Sequence, residues 1–329
     1  MYQWNLIRGV VMKNVHKLTE GAVLLAAYAV LILITVYIPV FGAIISLFLS
    51  VPFILFGAKN TRMSSFVFFI GACFISIIVG AVLALPLTFS FGLTGLVIGH
   101  FFQEKKSRLS TFIAATLVFL VTIIVQYVGF IALFQFNFMK EMIASIKEMI
   151  NSSMIMMEEL GQGIDVTNYV AMLKEFSDSL PFIEVLTPSL FVTTALFSVL
   201  LIEVVSLPIV KRFGVKFAAR RPFRELTLPK SILWYYLITM LAILMIKPSE
   251  GSYWYIAFMN ISFILQLLMV IQGLAFIFYF CFQKGISKAL PIIAVILTFL
   301  MPLFLSIVRI LGIIDLGFEL RKRLEKNKN

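Results

Sequence analysis

The stretch KRFGVKFAARRPFRELTLPK, residues 211–230, separates two groups of long apolar segments and decides how the chain is oriented in a membrane. It carries one acid, Glu225, and seven bases: Lys211, Arg212, Lys216, Arg220, Arg221, Arg224 and Lys230. Short loops rich in Lys and Arg stay on the cytoplasmic side of a membrane. The stretch is therefore predicted to be a cytoplasmic loop, and it sets the direction of the segments on either side.

The composition of the 329 residues excludes a soluble domain. Hydrophobic residues make up 61% and charged residues 13%, whereas soluble domains are about half apolar and about a quarter charged. Apolar runs long enough to cross about 30 Å of hydrocarbon recur along the chain. Each run is expected to be helical, because lipid offers the backbone no hydrogen-bond partners. The prediction is an all-α polytopic protein, multi-pass in the cell membrane and in contact with its lipid bilayer.

Basic residues alternate with the apolar runs and give each run a direction. Residues 1–18 mix bases with apolar side chains in the pattern of a helix on the inner leaflet, which predicts a cytoplasmic N-terminus. Lys59 and Arg62 mark one return to the cytoplasm, and the bases at 105–108 mark the next, after a hairpin that turns near Pro86. The six spans predicted within the bundle of residues 1–210 are 21–37, 41–56, 65–83, 87–102, 110–136 and 186–210.

Residues 138–184, between the fifth and sixth spans, form a sizeable polar region. Apolar residues from Met139 onwards recur at the spacing of one helix face until Gly161. Asp165 is then placed to cap a second helix at 166–176. Eight of the sixteen acids of the chain lie in this region, and acids hardly oppose export across a membrane. We predict an external helical hairpin.

The C-terminal membrane module, residues 231–329, leaves the number of spans at eight or nine. Its three apolar runs are residues 231–246, 255–282 and 289–314. A full crossing by the last run would place the basic tail outside, whereas a fold-back near Pro302 would keep it inside. We favour the internal tail, because Leu316, Leu320 and Leu324 share one face of a basic helix suited to anionic inner-leaflet lipids.

Polar side chains at membrane depth are the candidate functional residues, because they are costly there. In the sixth span Glu203, Ser206 and Thr193 fall on one side of the helix and predict a polar seam. The amides grouped with them as candidates to line a polar cavity are Gln126, Asn260, Gln266 and Gln272. The alternatives are an ion pair between Glu203 and a nearby base, for which Lys211 is within reach, and ordinary hydrogen bonds between helices for the amides.

Two further features concern the packing of the helices. Arg309 and Asp315 form either an ion pair that holds the last segment or two separate interfacial anchors. Gly92, Gly95 and Gly99 include the GxxxG spacing that lets helix backbones approach closely, which indicates packing rather than ligand contact.

The sequence contains no catalytic motif and no clustered metal ligands. We expect no enzymatic activity, no metal and no cofactor. Phe213, Phe217 and Phe223 lie among the bases of the loop, as in segments that bind nucleic acid, but topology and headgroup contact explain the mixture more simply. The loop residues predicted to contact anionic lipids or a cytoplasmic partner, and no nucleic acid, are Lys211, Arg212, Arg220, Arg221 and Arg224.

Five stretches carry a family resemblance: TEGAVLLAAYAVL near Thr19, FGLTGLVIGHFFQEKKS near Gly92, RELTLPKSILWYY from Arg224, KALPIIAVIL from Lys288 and VRILGIIDLGFELRKRL from Val308. They resemble the YybS-like family of bacterial integral membrane proteins, which is typical of Gram-positive bacteria. The resemblance implies a multi-span plasma-membrane protein and supports the folded-back ending. It implies no established activity.

The first six spans are also similar to the substrate-binding subunits of energy-coupling-factor vitamin transporters, six-helix proteins with both ends cytoplasmic. The vitamin-contacting residues of those subunits have no clear counterpart here, and the insert 138–184 and the C-terminal segments depart from their pattern. The similarity implies a six-helix front bundle, and our first hypothesis is a solute-binding or transport component. The alternative is a non-enzymatic membrane scaffold or regulatory protein of the cell envelope.

Overall fold

A computed structural model of the chain describes residues 2–160, 167–219, 222–287 and 289–326. The side chains of residues 2–16, 39, 158–160, 167 and 325–326 lie outside this description. The described residues are almost entirely helical and include no strand, which confirms the predicted all-α class.

The described residues form two compact units. The first comprises the chain up to Phe138 together with Phe191–Ala219, and the second comprises Met139–Leu190 and the described residues from Pro222 onwards. The six spans predicted for the front part therefore lie almost wholly in the first unit. The predicted basic loop 211–230 is divided between the two units.

The helices run in chain order through both units. Those before the polar insert are α1 Tyr2–Tyr37, α2 Pro39–Ile45, α3 Ser50–Lys59, α4 Arg62–Gly80, α5 Leu85–Leu87, α6 Thr94–Gln103 and α7 Arg108–Phe134. Those of the insert and the segment after it are α8 Phe138–Leu160, α9 Thr167–Ser179, α10 Phe182–Val185 and α11 Thr187–Arg212. The remaining helices are α12 Ser231–Ile246, α13 Tyr253–Gln283, α14 Ala289–Leu300, α15 Pro302–Phe318 and α16 Leu320–Lys326.

Local sequence sets where several helices begin. The side-chain oxygens of Thr61, Ser107 and Ser252 accept hydrogen bonds from backbone N–H groups in the first turns of α4, α7 and α13. Each hydroxyl satisfies a donor that would otherwise lack a partner at the helix start. The surface helix predicted for residues 1–18 continues without a break into the first span as part of α1.

In the first unit, one ion pair connects α1 with the end of α3, and another connects the start of α4 with the residue after α6. Lys59 at the end of α3 contacts Glu20 of α1 at 2.8 Å, and Arg62 at the start of α4 contacts Glu104 just after α6 at 2.6 Å. A straight helix from Arg62 to Gln103 would be about 60 Å long. Its two ends can meet only because the chain reverses between them.

The reversal lies slightly before the predicted position. Ala81 has a positive φ of 53° and ends α4, and the 3-10 turn Ala81–Ala84 follows. Pro86 lies within the next helix rather than at the turn, because the first turn of a helix accommodates proline. The hydroxyls of Ser76 and Thr88 meet at 2.5 Å on either side of the reversal, and both contact the Tyr28 hydroxyl at 2.8 Å.

Helices α3 and α6 pack at close range, as the GxxxG spacing predicts. A Cβ atom added at Gly95 would lie 2.7 Å from the carbonyl oxygen of Ser50, and one added at Gly99 would lie 2.6 Å from that of Ile54. Both distances are shorter than a carbon–oxygen contact allows. The glycines therefore serve backbone packing, and the predicted role is confirmed.

The second unit contains the predicted pair of insert helices, α8 and α9. Ile143 and Ile150 of α8 are buried in one cluster with Leu180, and Leu173 of α9 packs against it. This is the helix face that the apolar spacing predicts. The predicted break at Gly161 and cap at Asp165 lie outside the described residues.

Helices α13 and α15 of the second unit run parallel in close contact. Two side-chain hydrogen bonds join them, Arg309 to Gln266 and Gln272 to Asp315, and both connect residues 43 positions apart. Equal offsets require the same chain direction. Before α15 the chain bends by 118° at Met301, next to Pro302, where the fold-back is predicted.

Six segments of the described chain are long and apolar enough to cross a membrane, or seven if the bent pair α14–α15 counts as one span. One of the six is the 42-residue segment Arg62–Gln103, which reverses, and α12 is a shorter apolar helix of 16 residues. These segments agree with a multi-pass membrane protein. The number of eight or nine spans stays a prediction.

We expect Gly99→Ala to destabilise the first unit by about 1–3 kcal/mol, the usual cost of overpacking a close contact. The added Cβ would meet the backbone of α3, which cannot rotate away. Unfolding in mixed micelles measures the change. Gly129→Ala in α7 is the matched control, because no atom lies within 4 Å of its added Cβ. Equal stability of the two variants would contradict the close packing of α3 and α6.

Candidate functional site

A basic cleft of about 490 Å³ lies in the first unit, where α3 and α6 end and the chain leaves α11. We call it the lysine cleft. Its lining includes four lysines and no acid: Ala58, Lys59, Phe102, Gln103, Lys105, Lys106, Gly214, Val215, Lys216, Phe217 and Ala218. This end of the unit is the one that the basic residues predict to be cytoplasmic.

Three separate parts of the chain bring the lysines together. Lys59 is the last residue of α3, and Lys105 stands just beyond α6 with a positive φ of 54° that ends the helix. After α11 the chain turns at Gly214, whose φ of 84° suits glycine, and Val215 is then buried. Lys216 therefore faces the cleft from a third direction.

The lysines are only partly neutralised by acids. Glu20 pairs with Lys59 at 2.8 Å, and Glu104 lies 3.9 Å from Lys106. A hydrogen bond from Arg62 lowers the pKa of Glu104, so this acid stays charged at neutral pH. Within the described part of the chain, Lys105 and Lys216 have no acidic partner. Because Glu104 is shared between Lys106 and Arg62, the cleft keeps an excess of at least two positive charges.

A buried ion pair supports one wall of the cleft. Arg108 of α7 donates to Glu203 of α11 at 2.9 Å, and their side chains are 12% and 2% exposed. The Arg108 guanidinium also lies 5.7 Å from the ring centre of Phe102 and 5.3 Å from that of Phe217. The two rings stack on each other with centres 4.9 Å apart. Arg108 thus joins two antiparallel helices to the segment that carries Phe217.

The partner of Glu203 is a correction to the sequence analysis, which considered Lys211. Lys211 and Arg212 are exposed at the end of α11, whereas Arg108 starts a helix that runs the opposite way and reaches Glu203 from the side. From the sequence, Arg108 is predicted only to mark, with its basic neighbours, a return of the chain to the cytoplasm. The positions of the two residues could have indicated the pair, because a base at the start of one span and an acid near the same membrane side of another span can meet.

The other polar candidates of the first unit bond to different neighbours. Gln126 donates to the carbonyl oxygen of Pro86 at 3.0 Å and to the hydroxyl of Ser90 at 3.1 Å. Ser206 donates to the carbonyl oxygen of Leu47 at 3.4 Å. Thr193 is half-buried on α11. These contacts are the hydrogen bonds between helices that stood as the alternative to a shared cavity.

The amides of the second unit also have specific partners. Asn260 donates to the carbonyl oxygen of Val185 at 2.7 Å and accepts from the backbone N–H of Ser189 at 2.9 Å, so it holds the start of α11. Gln266 donates to Ser262 at 2.9 Å and accepts from Arg309 at 2.6 Å. These amides bond between or within helices rather than around one polar centre.

Arg309 and Asp315 do not pair with each other, which corrects one of the two alternatives. Six residues apart on α15, they point to different sides of the helix. Asp315 pairs with Arg321 at 3.1 Å and accepts from Gln272 at 2.5 Å, and its side chain is 2% exposed. Arg309 bonds to the neutral Gln266 instead. From the sequence, Arg321 is predicted only as one of the bases of the tail.

The buried Gln272–Asp315–Arg321 network holds the second half of the basic loop. Gln272 accepts from the backbone N–H of Leu228 at 2.9 Å, and Arg321 donates to the carbonyl oxygen of Arg224 at 2.9 Å. The Arg224 guanidinium lies 3.8 Å from the ring centre of Phe282. Loop residues 222–230 and the start of the tail therefore lie at the same end of the second unit, as the fold-back requires.

A second ion pair joins the same two segments at the surface. Lys230 contacts Glu319, which also pairs with Lys322 at 2.8 Å. Hydrogen bonds from Lys230 and Lys322 lower the pKa of Glu319 to about 2. Of the other bases predicted to contact lipid or a partner, Arg220 and Arg221 lie outside the described residues.

We expect Glu203→Gln to lower the free energy of unfolding by about 3–5 kcal/mol, because it leaves Arg108 buried without its charged partner. The double variant Arg108→Gln/Glu203→Gln should recover part of that loss. Unfolding in mixed micelles measures both. Glu104→Gln, at an exposed pair, is the control and should change stability little. A single variant as stable as the wild type would show that the pair has no structural role.

Comparison with known proteins identifies one relative of this chain along nearly its whole length. It is 31% identical over 317 residues to the uncharacterized protein YybS of Bacillus subtilis strain 168, which covers 95% of this chain and 100% of that protein. No solved structure matches the chain. The similarity of the front spans to energy-coupling-factor subunits therefore stays a prediction.

A family model for a predicted membrane protein matches residues 26–316, from within α1 to within α15. Both the extent of this match and the identity to YybS point to one family. The chain belongs to the DUF2232 family of predicted membrane proteins.

Proposed function

We propose that this chain is a non-enzymatic solute-binding or transport component of the cell membrane, and that its ligand is an anion that binds in the lysine cleft. The observation that carries the proposal is the coincidence of open volume with two lysines, Lys105 and Lys216, that have no acid beside them in the described part of the chain. The volume of the lysine cleft lies within the range of about 300–1,000 Å³ that is usual for small-ligand sites.

The cleft supports this function better than the polar seam around Glu203 does. Glu203 and Arg108 neutralise each other, and Gln126 and Ser206 bond to neighbouring helices. A buried side chain that is already paired gains little by binding a solute. Lys105 and Lys216 have no such partner among the described residues, so a ligand anion would replace only water around them.

We expect inorganic phosphate, sulfate or malonate to raise the unfolding temperature of the full-length protein by about 2–4 °C when binding adds about 1 kcal/mol. Lys105→Gln/Lys216→Gln should abolish the shift. Lys174→Gln/Lys284→Gln removes the same charge from exposed lysines that do not line the cleft, and it should keep the shift. Scans at equal ionic strength against chloride measure the effect. If no anion stabilises the wild type, or if both double variants behave alike, the proposal is wrong.

A second candidate function is a membrane scaffold or regulatory protein, favoured by the network that holds loop residues 222–230. A loop that served only to orient spans would not need buried residues to fix its backbone. Gln272 and Arg321 bond to the backbone of Leu228 and Arg224, and the Arg224 guanidinium lies against the Phe282 ring. A protein partner that binds at the predicted cytoplasmic surface would require a loop held in place in this way.

For this second candidate we expect Gln272→Leu to release the loop, because it removes the acceptor of the Leu228 N–H and a donor to Asp315. Trypsin should then cut within residues 211–230 several-fold faster, and a partner that co-purifies with the wild type should be lost. Gln283→Leu is the control, since Gln283 bonds only to Tyr279 on its own helix in the described structure. Unchanged cleavage together with retention of every partner would exclude this function.

A further inference from the structure

We infer that the lysine cleft selects a phosphate monoester, a group that carries close to two negative charges at neutral pH. This inference rests on the proposed anion site and names its ligand class. The shared chemistry has two sources. One is a soluble phosphate ester, and the other is a membrane lipid whose headgroup ends in a monoester.

The charge balance of the cleft matches such a group. Two of the four lysines face an acid, Lys59 at 2.8 Å and Lys106 at 3.9 Å, which leaves two positive charges without an acid among the described residues. A phosphate monoester carries about −1.5 to −2 at pH 7, whereas a diester or a single carboxylate carries −1. A monoester therefore comes closer to neutralising this excess than a singly charged anion does.

The donors also suit phosphate geometry. Lysine ammonium groups are compact charges with three rotatable donors each, and they bind phosphate as point charges. In the cleft they come from the end of α3, the turn after α6 and the segment after α11. Donors from three directions can reach three acceptor oxygens around one phosphorus atom, whereas a planar carboxylate offers two.

The remaining lining indicates an ester rather than free phosphate. Phe102, Val215 and Phe217 give the cleft an apolar wall beside the lysines, and Ala58 and Ala218 add to it. A cleft of about 490 Å³ has space for more than one phosphate group. The organic part of a phosphate ester would lie against this wall, with the phosphate group at the lysines.

Binding to the full-length protein at fixed pH and ionic strength tests the inference. The soluble pair is glycerol 3-phosphate, a monoester, against glycerophosphocholine, a diester, measured by calorimetry in detergent. The lipid pair is phosphatidic acid against phosphatidylglycerol, each in nanodiscs matched for total lipid charge and measured by lipid-dependent stabilisation. We expect a preference of about tenfold or more for the monoester in one pair, since a charged hydrogen bond is worth about that factor. The pair that shows the preference identifies the source.

The variants separate this inference from the broader proposal. Lys105→Gln/Lys216→Gln should lose the preference, while Lys174→Gln/Lys284→Gln should keep it, and both should unfold at the wild-type temperature without ligand because all four side chains are exposed. If monoesters and diesters bind equally, the inference is wrong although the anion site stands. If a preference survives in Lys105→Gln/Lys216→Gln, the phosphate lies elsewhere and the inference is wrong. If no anion binds at all, both proposals fail.

Discussion

The buried ion pair between Arg108 and Glu203 is the interaction on which the organisation of the first unit depends. An isolated charge in a low-dielectric interior is costly, so each of these residues requires the other. The pair connects the first residue of α7 to a point two turns above the end of α11 and thereby fixes the depth of one helix against the other. Through its contacts with Phe102 and Phe217 it also positions the segment after α11. The ion pair thus positions the two aromatic side chains that line one wall of the lysine cleft.

The same constraint is met differently in the second unit. Asp315 is buried, and Arg321 approaches it from beyond the end of α15 with Gln272 as a third member. Because Gln272 and Arg321 also bond to backbone atoms of residues 224–228, neutralising one buried acid organises two surface segments at once. The basic tail and the basic loop meet at one end of the unit. A chain that reverses before α15 brings them there, whereas a complete extra crossing would separate them.

The charged side chains of this protein that form buried ion pairs stabilise the fold, whereas the cleft lysines without an acid beside them are available to a ligand. Glu203, Arg108, Asp315 and Arg321 are buried, and their charges are used within the fold. Lys105 and Lys216 face an open cleft and have no acid beside them among the described residues. Ligand binding is favoured where an anion can satisfy groups that the fold leaves unsatisfied. For this reason the proposed function rests on exposed lysines of the cleft and not on the buried acid Glu203.

The sequence by itself determined the class and the approximate position of the helices, because span length, apolar character and the distribution of Lys and Arg are properties of local stretches. It also indicated the close packing at Gly95 and Gly99, since the spacing of small residues on a helix face is local too. Only the tertiary structure decided the partners. From the sequence, Glu203 could have paired with any base at its depth, and Asp315 with Arg309 or Arg321. Nothing in the sequence indicates that Lys59 and Lys216 would line one cleft. Such choices depend on which helices become neighbours and in which direction they run, and residues 95 positions apart in the chain carry no local signal of that proximity.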